Sequence, residues 1–286
     1  YDDIKYIRLN NTPNHIALHQ KLAALENAEA AVVTASGMAA ITTSFLTFLS
    51  PGDHLLTQDC LYGGTHEFIT KDLAALGISY DFIDGSDPNS WSEKLRPETK
   101  IIYVETITNP LMQVTNLKAV AAFAKSNQLI SMIDNTFASP VNFRPAEHGF
   151  DLSLHSCSKY LNGHSDIVAG AIIGRGDMME KIIHKLNHLG GSLDPHACFL
   201  LHRGIKTLAV RMRYQNESAF RISEYLHKHP AVKTVNYPGL EGQAGYLLAR
   251  ELFDGFGGML SFELNGDVEV ADRFIQNMNL PIIAPS

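Results

Sequence analysis

The stretch LHSCSKYLNGHSDIVAG, residues 154–170, carries the strongest signal in the chain. An apolar run leads into Ser156, Ser158 and Lys159, and a segment rich in Gly, His and Asn then leads to a second apolar run. A lone lysine at a strand end is most often a solvated surface residue. Two serines and tight turns beside it also suit a binding site. The choice between a surface lysine and a binding-site lysine therefore depends on the surrounding elements.

Strand-like apolar runs alternate with helical patterns through the first two thirds of the chain. Strands are predicted at residues 29–36, 54–58, 78–84, 100–106, 129–134 and 150–156, and helices at 37–49, 65–77 and 117–127. This alternation predicts βαβ units and a mostly parallel sheet. Runs such as LISMID (129–134) lack polar alternation, which indicates strands covered on both faces.

The last third of the chain has a different pattern. A long helical region is predicted at 202–229. The segments GGMLSFELNG (257–266) and VEVADRFIQNMNL (268–280) then predict the start of a smaller α/β domain. The fold class is therefore α/β, with a large domain and part of a second one.

Composition excludes several classes of function. With 286 residues, 45% hydrophobic content and a net charge of −7, the chain can build a core but has no basic surface for nucleic acid or anionic membranes. No apolar run reaches the ~18 residues of a membrane span, and no signal peptide is visible. The start lacks methionine and the end, LPIIAPS, stops within a pattern, so we expect the sequence to be part of a longer protein.

Cysteine and histidine usage adds two expectations. Cys60, Cys157 and Cys198 are odd in number and far apart, which predicts free thiols in a reducing compartment and a cytoplasmic protein. The histidines have no spacing typical of a metal site, and no metal is predicted.

Polar residues follow the predicted strands where each one ends. Ligands of an open parallel sheet lie beyond the carboxyl ends of its strands. Each polar group alone is more often a turn or a helix cap, but four at one edge indicate a site. The four groups are Ser36-Gly37-Met38, Glu105 with Asn109, Asp134-Asn135-Thr136, and Ser156-Cys157-Ser158-Lys159.

The chemistry of these residues suits an anion and a carbonyl group. Gly37 at a helix N-terminus, with the serine hydroxyls, predicts a phosphate site. Lys159 could bind that phosphate as a point charge or form a Schiff base with a carbonyl. Ser156-x-x-Lys159 also matches a serine acyl-enzyme motif, but its partner motifs are absent.

A pyridoxal phosphate site needs three further groups, and the predicted edge of the sheet supplies a candidate for each. Asp134 can pair with the pyridine nitrogen, Tyr62 can stack on the ring, and Asn109 can donate to the ring hydroxyl.

In these candidate residues and the motifs around them, the sequence resembles the Cys/Met-metabolism family of pyridoxal phosphate enzymes, and the resemblance extends along essentially its whole length. That family includes cystathionine γ-synthase, cystathionine β- and γ-lyases and methionine γ-lyase. The motifs that carry the resemblance are ASGMAAI (35–41), LYGGT (61–65), VETITNP (104–110), IDNTFASP (133–140), the stretch around Lys159, LHRGIKTLAVRM (201–212) and YPGL (237–240).

The resemblance implies a fold, a cofactor and a set of roles. The fold is the aspartate-aminotransferase-like fold (fold type I), and the cofactor is pyridoxal 5'-phosphate. Lys159 would hold the cofactor aldehyde and later shuttle protons, and Tyr62 would stack on the ring and take a proton from the incoming amine. The other cofactor-binding residues would be Gly37, Met38, Asn109, Asp134, Thr136, Ser156 and Ser158.

The resemblance also implies an assembly. Tyr6 and Arg8 match residues that reach the phosphate in a neighbouring subunit, so we expect a dimer with shared sites, and a tetramer as the full assembly. The resulting division of the chain is an N-terminal arm at 1–14, a large cofactor-binding domain at 15–205, and a linker helix with a partial C-terminal domain at 206–286.

Departures from the family pattern bear on the reaction. Ile107 replaces a usual proline, Lys5 stands where members that handle cystathionine often have an acidic residue, and Gly64 replaces the cysteine of typical methionine γ-lyases. The family's arginine for the substrate carboxylate would lie beyond Ser286. We expect γ-replacement or elimination on a homoserine ester or cystathionine, as in cystathionine γ-synthase. A cystathionine β- or γ-lyase and an inactive cofactor-binding homologue are the alternatives.

Overall fold

The computed structural model of the chain describes residues 5–281. Its strands are β1 Ala30–Thr34, β2 His54–Gln58, β3 Ser79–Ile83, β4 Thr99–Glu105, β5 Ile130–Asp134, β6 Leu152–Ser156, β7 Gly170–Gly174, β8 Val232–Asn236 and β9 Ser261–Leu264. Its α-helices are α1 Pro13–Leu25, α2 Gly37–Phe48, α3 Gly63–Glu67, α4 Leu117–Ser126, α5 Ser139–Asn142, α6 Gly176–Leu189, α7 Pro195–Ile205, α8 Leu208–His227, α9 Tyr246–Leu252 and α10 Val268–Gln276. Helix α3 continues into a π-helical segment, Phe68–Leu73, and short 3-10 turns occur at Ile7–Leu9, Pro88–Lys94 and Pro145–His148.

The first seven strands form one sheet in the order β1-β7-β6-β5-β4-β2-β3. All neighbouring pairs are parallel except those of β7, which is antiparallel to both β1 and β6. The predicted α/β class with a mostly parallel sheet is therefore confirmed. The parallel strands place their carboxyl ends at one edge.

Both faces of this sheet are covered, which explains why its strands lack polar alternation. In β4, Ile101 and Tyr103 pack into the apolar cluster that also contains Phe45 of α2. Ile102 and Val104 point to the opposite face and pack with residues of α4. Alternating side chains point to opposite faces of a strand, so a doubly covered strand needs apolar residues at every position.

A second, two-stranded antiparallel sheet is formed by β8 and β9. Apolar side chains of this sheet pack in a small cluster with Ala219 of α8 and with Tyr237. The predicted strand and helix at 257–266 and 268–280 correspond to β9 and α10. The boundaries of the three predicted regions of the chain stay a prediction, and part of the predicted arm and the last five residues lie outside the described residues.

The structure divides one predicted region and adds several elements that were not predicted. The long helical region predicted at 202–229 is helical but divided into two helices, since α7 ends at Ile205 and α8 begins at Leu208. Strands β7 and β8 and helices α1, α5, α6 and α9 were not predicted. The five residues of β7 are bounded by two glycines, so the run is too short for periodicity to identify a strand. No helix in the described part of the chain is long and apolar enough to cross a bilayer.

Candidate active site

A cavity of about 310 Å³ lies at the carboxyl edge of the main sheet. Nine of the eleven residues predicted to bind the cofactor line it, and they are Gly37, Met38, Tyr62, Asn109, Asp134, Thr136, Ser156, Ser158 and Lys159. Six residues that were not predicted to bind the cofactor also line it, and they are Ser36, Ile41, Glu105, Ile107, Phe137 and Val168.

One wall of the cavity is the N-terminus of α2. Ser36 caps this helix, since its Oγ accepts the N–H of Ala39 at 3.0 Å. The N–H groups of Gly37 and Met38 begin the helix, where backbone donors have no intrahelical acceptor. A β-carbon on Gly37 would lie 2.8 Å from Cβ of Ser156. Glycine is therefore needed for the helix to approach β6, and the free N–H groups and the Ser156 hydroxyl together form a cradle for an anion.

The lysine-bearing turn follows β6 directly. The Ser156 N–H donates to Thr136 Oγ1 at 2.8 Å, and the Lys159 N–H donates to the Ser156 carbonyl at 3.1 Å. Ser158 Oγ accepts the N–H of Ala169 at 3.0 Å, which joins the turn to the segment before β7. The Lys159 side chain is exposed to the cavity and forms no hydrogen bond or ion pair among residues 5–281. Its amine is free to react with a carbonyl in the cavity.

Two carboxyl groups face the same cavity. Asp134, at the end of β5, accepts the N–H of Thr136 at 2.9 Å, and burial raises the pKa of its carboxyl. Glu105, at the end of β4, is only 4% exposed. Burial and then the charge of Asp134 raise the pKa of Glu105 to about 8. A positively charged group beside Asp134 would stabilise its ionised form.

Tyr62 forms the outer wall. Its side chain is 41% exposed, and its backbone N–H donates to Oε1 of Glu105 at 2.7 Å. A β-carbon on Gly64 would lie 2.7 Å from Cε1 of the Tyr62 ring and 3.3 Å from the sulfur of Met38. Gly64 therefore leaves room for the ring, and Glu105 fixes the backbone from which the ring projects.

A buried polar cluster lies behind these residues and was not predicted from sequence. Oε1 of Glu26 receives hydrogen bonds from His155 at 2.5 Å, Asn135 at 3.0 Å and Ser153 at 3.1 Å. His155 immediately precedes Ser156 in the chain, and Asn135 immediately follows Asp134. The cluster joins the ends of β5 and β6, which fixes the spacing of Asp134 and Ser156.

The N-terminal residues do not line this cavity. Tyr6 is 52% exposed, and Nη1 of Arg8 donates to the carbonyl of Asn187 in α6 at 2.8 Å. The Arg8 guanidinium also lies 5.4 Å from the centre of the Tyr6 ring. Their predicted role at a neighbouring subunit stays a prediction.

The arrangement fits pyridoxal phosphate. The glycine-containing helix end suits the phosphate, the Asp134 carboxyl suits a protonated pyridine nitrogen, and the Lys159 amine suits the aldehyde. Within residues 5–281 no group of three or more His, Cys, Asp or Glu side chains is arranged to hold a metal ion.

Comparison with known proteins agrees with this chemistry. The sequence profile of the Cys/Met metabolism PLP-dependent enzymes matches residues 2–286. The chain is 41% identical over 278 residues to cystathionine beta-lyase MetC of Bacillus subtilis, and the alignment covers 97% of this chain and 71% of that protein. It is 42% identical to a probable cystathionine gamma-synthase of Herpetosiphon aurantiacus, over 96% of this chain and 86% of the relative.

A solved structure shares the fold of the chain at a comparable sequence identity. Cystathionine gamma-lyase of Lactobacillus plantarum, complexed with L-serine, superposes with a TM-score of 0.94 at 38% identity, over 99% of this chain and 74% of that one. The predicted fold and cofactor are confirmed by this likeness and by the family match. The chain belongs to the Cys/Met-metabolism family of pyridoxal phosphate-dependent enzymes.

Proposed function

We propose that the protein catalyses γ-replacement or elimination on a homoserine ester or cystathionine, as a cystathionine γ-synthase does. One observation carries the proposal. A single cavity brings together the unpaired amine of Lys159, the carboxyl of Asp134, the ring of Tyr62 and the anion cradle at Gly37. These are the groups that amino-acid chemistry with pyridoxal phosphate requires.

When bound, the cofactor withdraws electrons from the α-carbon of an attached amino acid. In the proposed mechanism Lys159 Nζ takes the α-proton and returns protons at later carbons, because an amine on an exposed, unpaired side chain can move between positions. Asp134 holds a proton on the ring nitrogen through its carboxylate. Ser156 and the Gly37 N–H bind the phosphate and orient the whole group.

The remaining walls have supporting roles in this proposal. Tyr62 covers the ring, and its Oη, when ionised, accepts a proton from the ammonium group of the incoming substrate. The Thr136 hydroxyl holds the Ser156 N–H. Ile107, Phe137 and Val168 give the cavity an apolar lining, which excludes water and strengthens the electrostatic contacts inside.

The candidate reactions within this family differ in the carbon at which the C–S bond forms or breaks. A lyase is the second candidate, because a β-lyase and a γ-lyase are as similar to the chain as the probable γ-synthase is. An assay with O-acyl-homoserine plus cysteine, run beside one with cystathionine alone, separates the two. The γ-synthase proposal predicts cystathionine formation in the first assay. It fails if the protein only cleaves cystathionine while Lys159→Ala does neither.

The proposal includes an assembly and a location. We propose a homodimer that shares its active sites through Tyr6 and Arg8, further assembled into a tetramer, in the cytoplasm. Its support is the position of Tyr6 and Arg8 outside the cavity of their own chain and the three cysteines, which are all free thiols. Gel filtration with light scattering measures the assembly, and a monomer would contradict it.

A further inference from the structure

The turn that carries Lys159 has a second anchor, on helix α8. The turn is closed by hydrogen bonds from the N–H of Asn162 to the Cys157 carbonyl at 3.0 Å and from the N–H of Gly163 to the Lys159 carbonyl at 2.8 Å. Like the end of any helical turn, it leaves its last carbonyl groups without backbone partners, and the Asn162 carbonyl has a local side-chain partner in His164 Nδ1 at 2.6 Å.

Arg211 supplies those partners. Its Nη1 donates to the carbonyl of Tyr160 at 2.8 Å, and its Nη2 lies within hydrogen-bond distance of the carbonyls of Leu161 at 3.4 Å and Asn162 at 3.3 Å. Nη2 also donates to the carbonyl of Gly204 at the end of α7, at 3.1 Å. One guanidinium therefore binds three successive carbonyls, beginning with the residue after the lysine.

The surroundings leave room for this guanidinium, whose Nε also donates to Thr207 Oγ1 at 3.0 Å. Gly163 has a positive φ of 72°, and a β-carbon there would lie 2.0 Å from Nη1 of Arg211. A β-carbon on Gly204 would lie 2.5 Å from the carbonyl oxygen of Asn162. No carboxylate pairs with Arg211 among the described residues, and burial lowers its pKa. An arginine held by neutral oxygen acceptors, four carbonyls and one hydroxyl, uses its five donors in a fixed fork, which a lysine cannot reproduce.

We propose that Arg211 is a positioning residue for the reaction, which holds the backbone of the Lys159 turn so that the lysine amine reaches the cofactor aldehyde. The inference rests on the proposed role of Lys159. A cation at the carbonyl end of a turn is favourable. Its loss leaves the carbonyls of Tyr160 and Leu161 to be satisfied by water, and leaves that of Asn162 with His164 Nδ1 at 2.6 Å. The turn then samples other conformations, and the amine is in reach of the aldehyde for a smaller fraction of the time.

The test compares Arg211→Met with Arg213→Met, an exposed arginine two residues along the same helix. Cofactor binding is measured by fluorescence titration. The fraction of bound cofactor attached to Lys159 is followed over time by borohydride reduction and peptide mapping, which gives the attachment rate. Hydrogen exchange at the amides of Asn162 and Gly163 reports the turn itself. Arg211→Lys is the second variant, which keeps the charge and loses the fork.

Arg211→Met should reduce the attachment rate per bound cofactor by about tenfold or more, because several hydrogen bonds are lost together, and it should speed exchange at both amides. Arg211→Lys should lie between it and wild type, and Arg213→Met should match wild type. Attachment and exchange equal to wild type in Arg211→Met, or in Arg211→Lys if the first variant does not fold, would overturn the inference. Failure of the wild-type protein to attach cofactor at Lys159 would instead overturn the proposed function.

Discussion

Replacing Glu105 by glutamine should change how the stability of the cofactor-free protein depends on pH. Glu105 is buried beside Asp134, and its pKa rises from 4.5 to about 8 in the folded protein. Between these values the folded protein holds a proton that the unfolded chain has released. Each pH unit upward through this window therefore lowers the free energy of unfolding by about 1.4 kcal/mol, and the loss ends above pH 8.

The total over the window is about 5 kcal/mol, an upper limit because a buried pair relaxes when it ionises. Glutamine has the shape of the protonated carboxyl, and its Oε1 can still accept the Tyr62 N–H. Glu105→Gln should therefore remove most of this slope, and its stability relative to wild type should rise steadily from pH 5 to pH 8.

Urea unfolding of the cofactor-free protein at pH 5, 6, 7, 8 and 9 measures the effect, with far-UV circular dichroism as the signal. Glu93→Gln is the matched control, since Glu93 is exposed and its replacement should leave the slope unchanged. A slope in Glu105→Gln equal to that of wild type would refute the reasoning, whatever the absolute stability of the variant.

Three further substitutions test separate parts of the site. Asp134→Asn should leave the fold intact and slow solvent deuterium exchange at the α-carbon of a bound amino acid by several orders of magnitude, because the amide cannot hold the ring nitrogen protonated; near-normal exchange would mean that Asp134 only caps its turn. Gly37→Ala should weaken cofactor binding roughly tenfold to a hundredfold in a fluorescence titration, because its β-carbon would lie 2.8 Å from that of Ser156 and overpacking costs about 1–3 kcal/mol; Gly63→Ala, with open space around it, is the control, and equal affinities would contradict the cradle. Arg8→Ala should also weaken cofactor retention, and hybrids of Arg8→Ala with Lys159→Ala subunits should recover activity at one shared site; hybrids as inactive as their parents would contradict sharing.

The sequence predicted the sheet and most of the cavity because each group lies directly after an apolar run. Asp134 and Ser156 end strands that are buried on both faces, so their position at one edge follows from strand direction alone. The order of the strands and the antiparallel β7 did not follow, since pairing depends on contacts between residues distant in the chain.

The contacts that Glu105 and Arg211 make with backbone groups were missed for a related reason. Glu105 accepts an N–H from a residue 43 positions earlier, and Arg211 donates to carbonyls about 50 positions away. A backbone partner leaves no side-chain signature in the sequence. The break between α7 and α8 was missed because RGIKTL (203–208) contains no proline and its single glycine lies within α7.

Attachment of the cofactor to Lys159 is the central claim, and one measurement tests it most directly. The protein is loaded with pyridoxal phosphate, reduced with borohydride, digested and mapped by mass spectrometry, with Lys159→Ala treated in the same way. The account predicts a yellow protein whose reduced cofactor is found on the peptide containing Lys159, and no reducible attachment in Lys159→Ala. Label on another lysine of the wild-type protein, or undiminished attachment in Lys159→Ala, would contradict it.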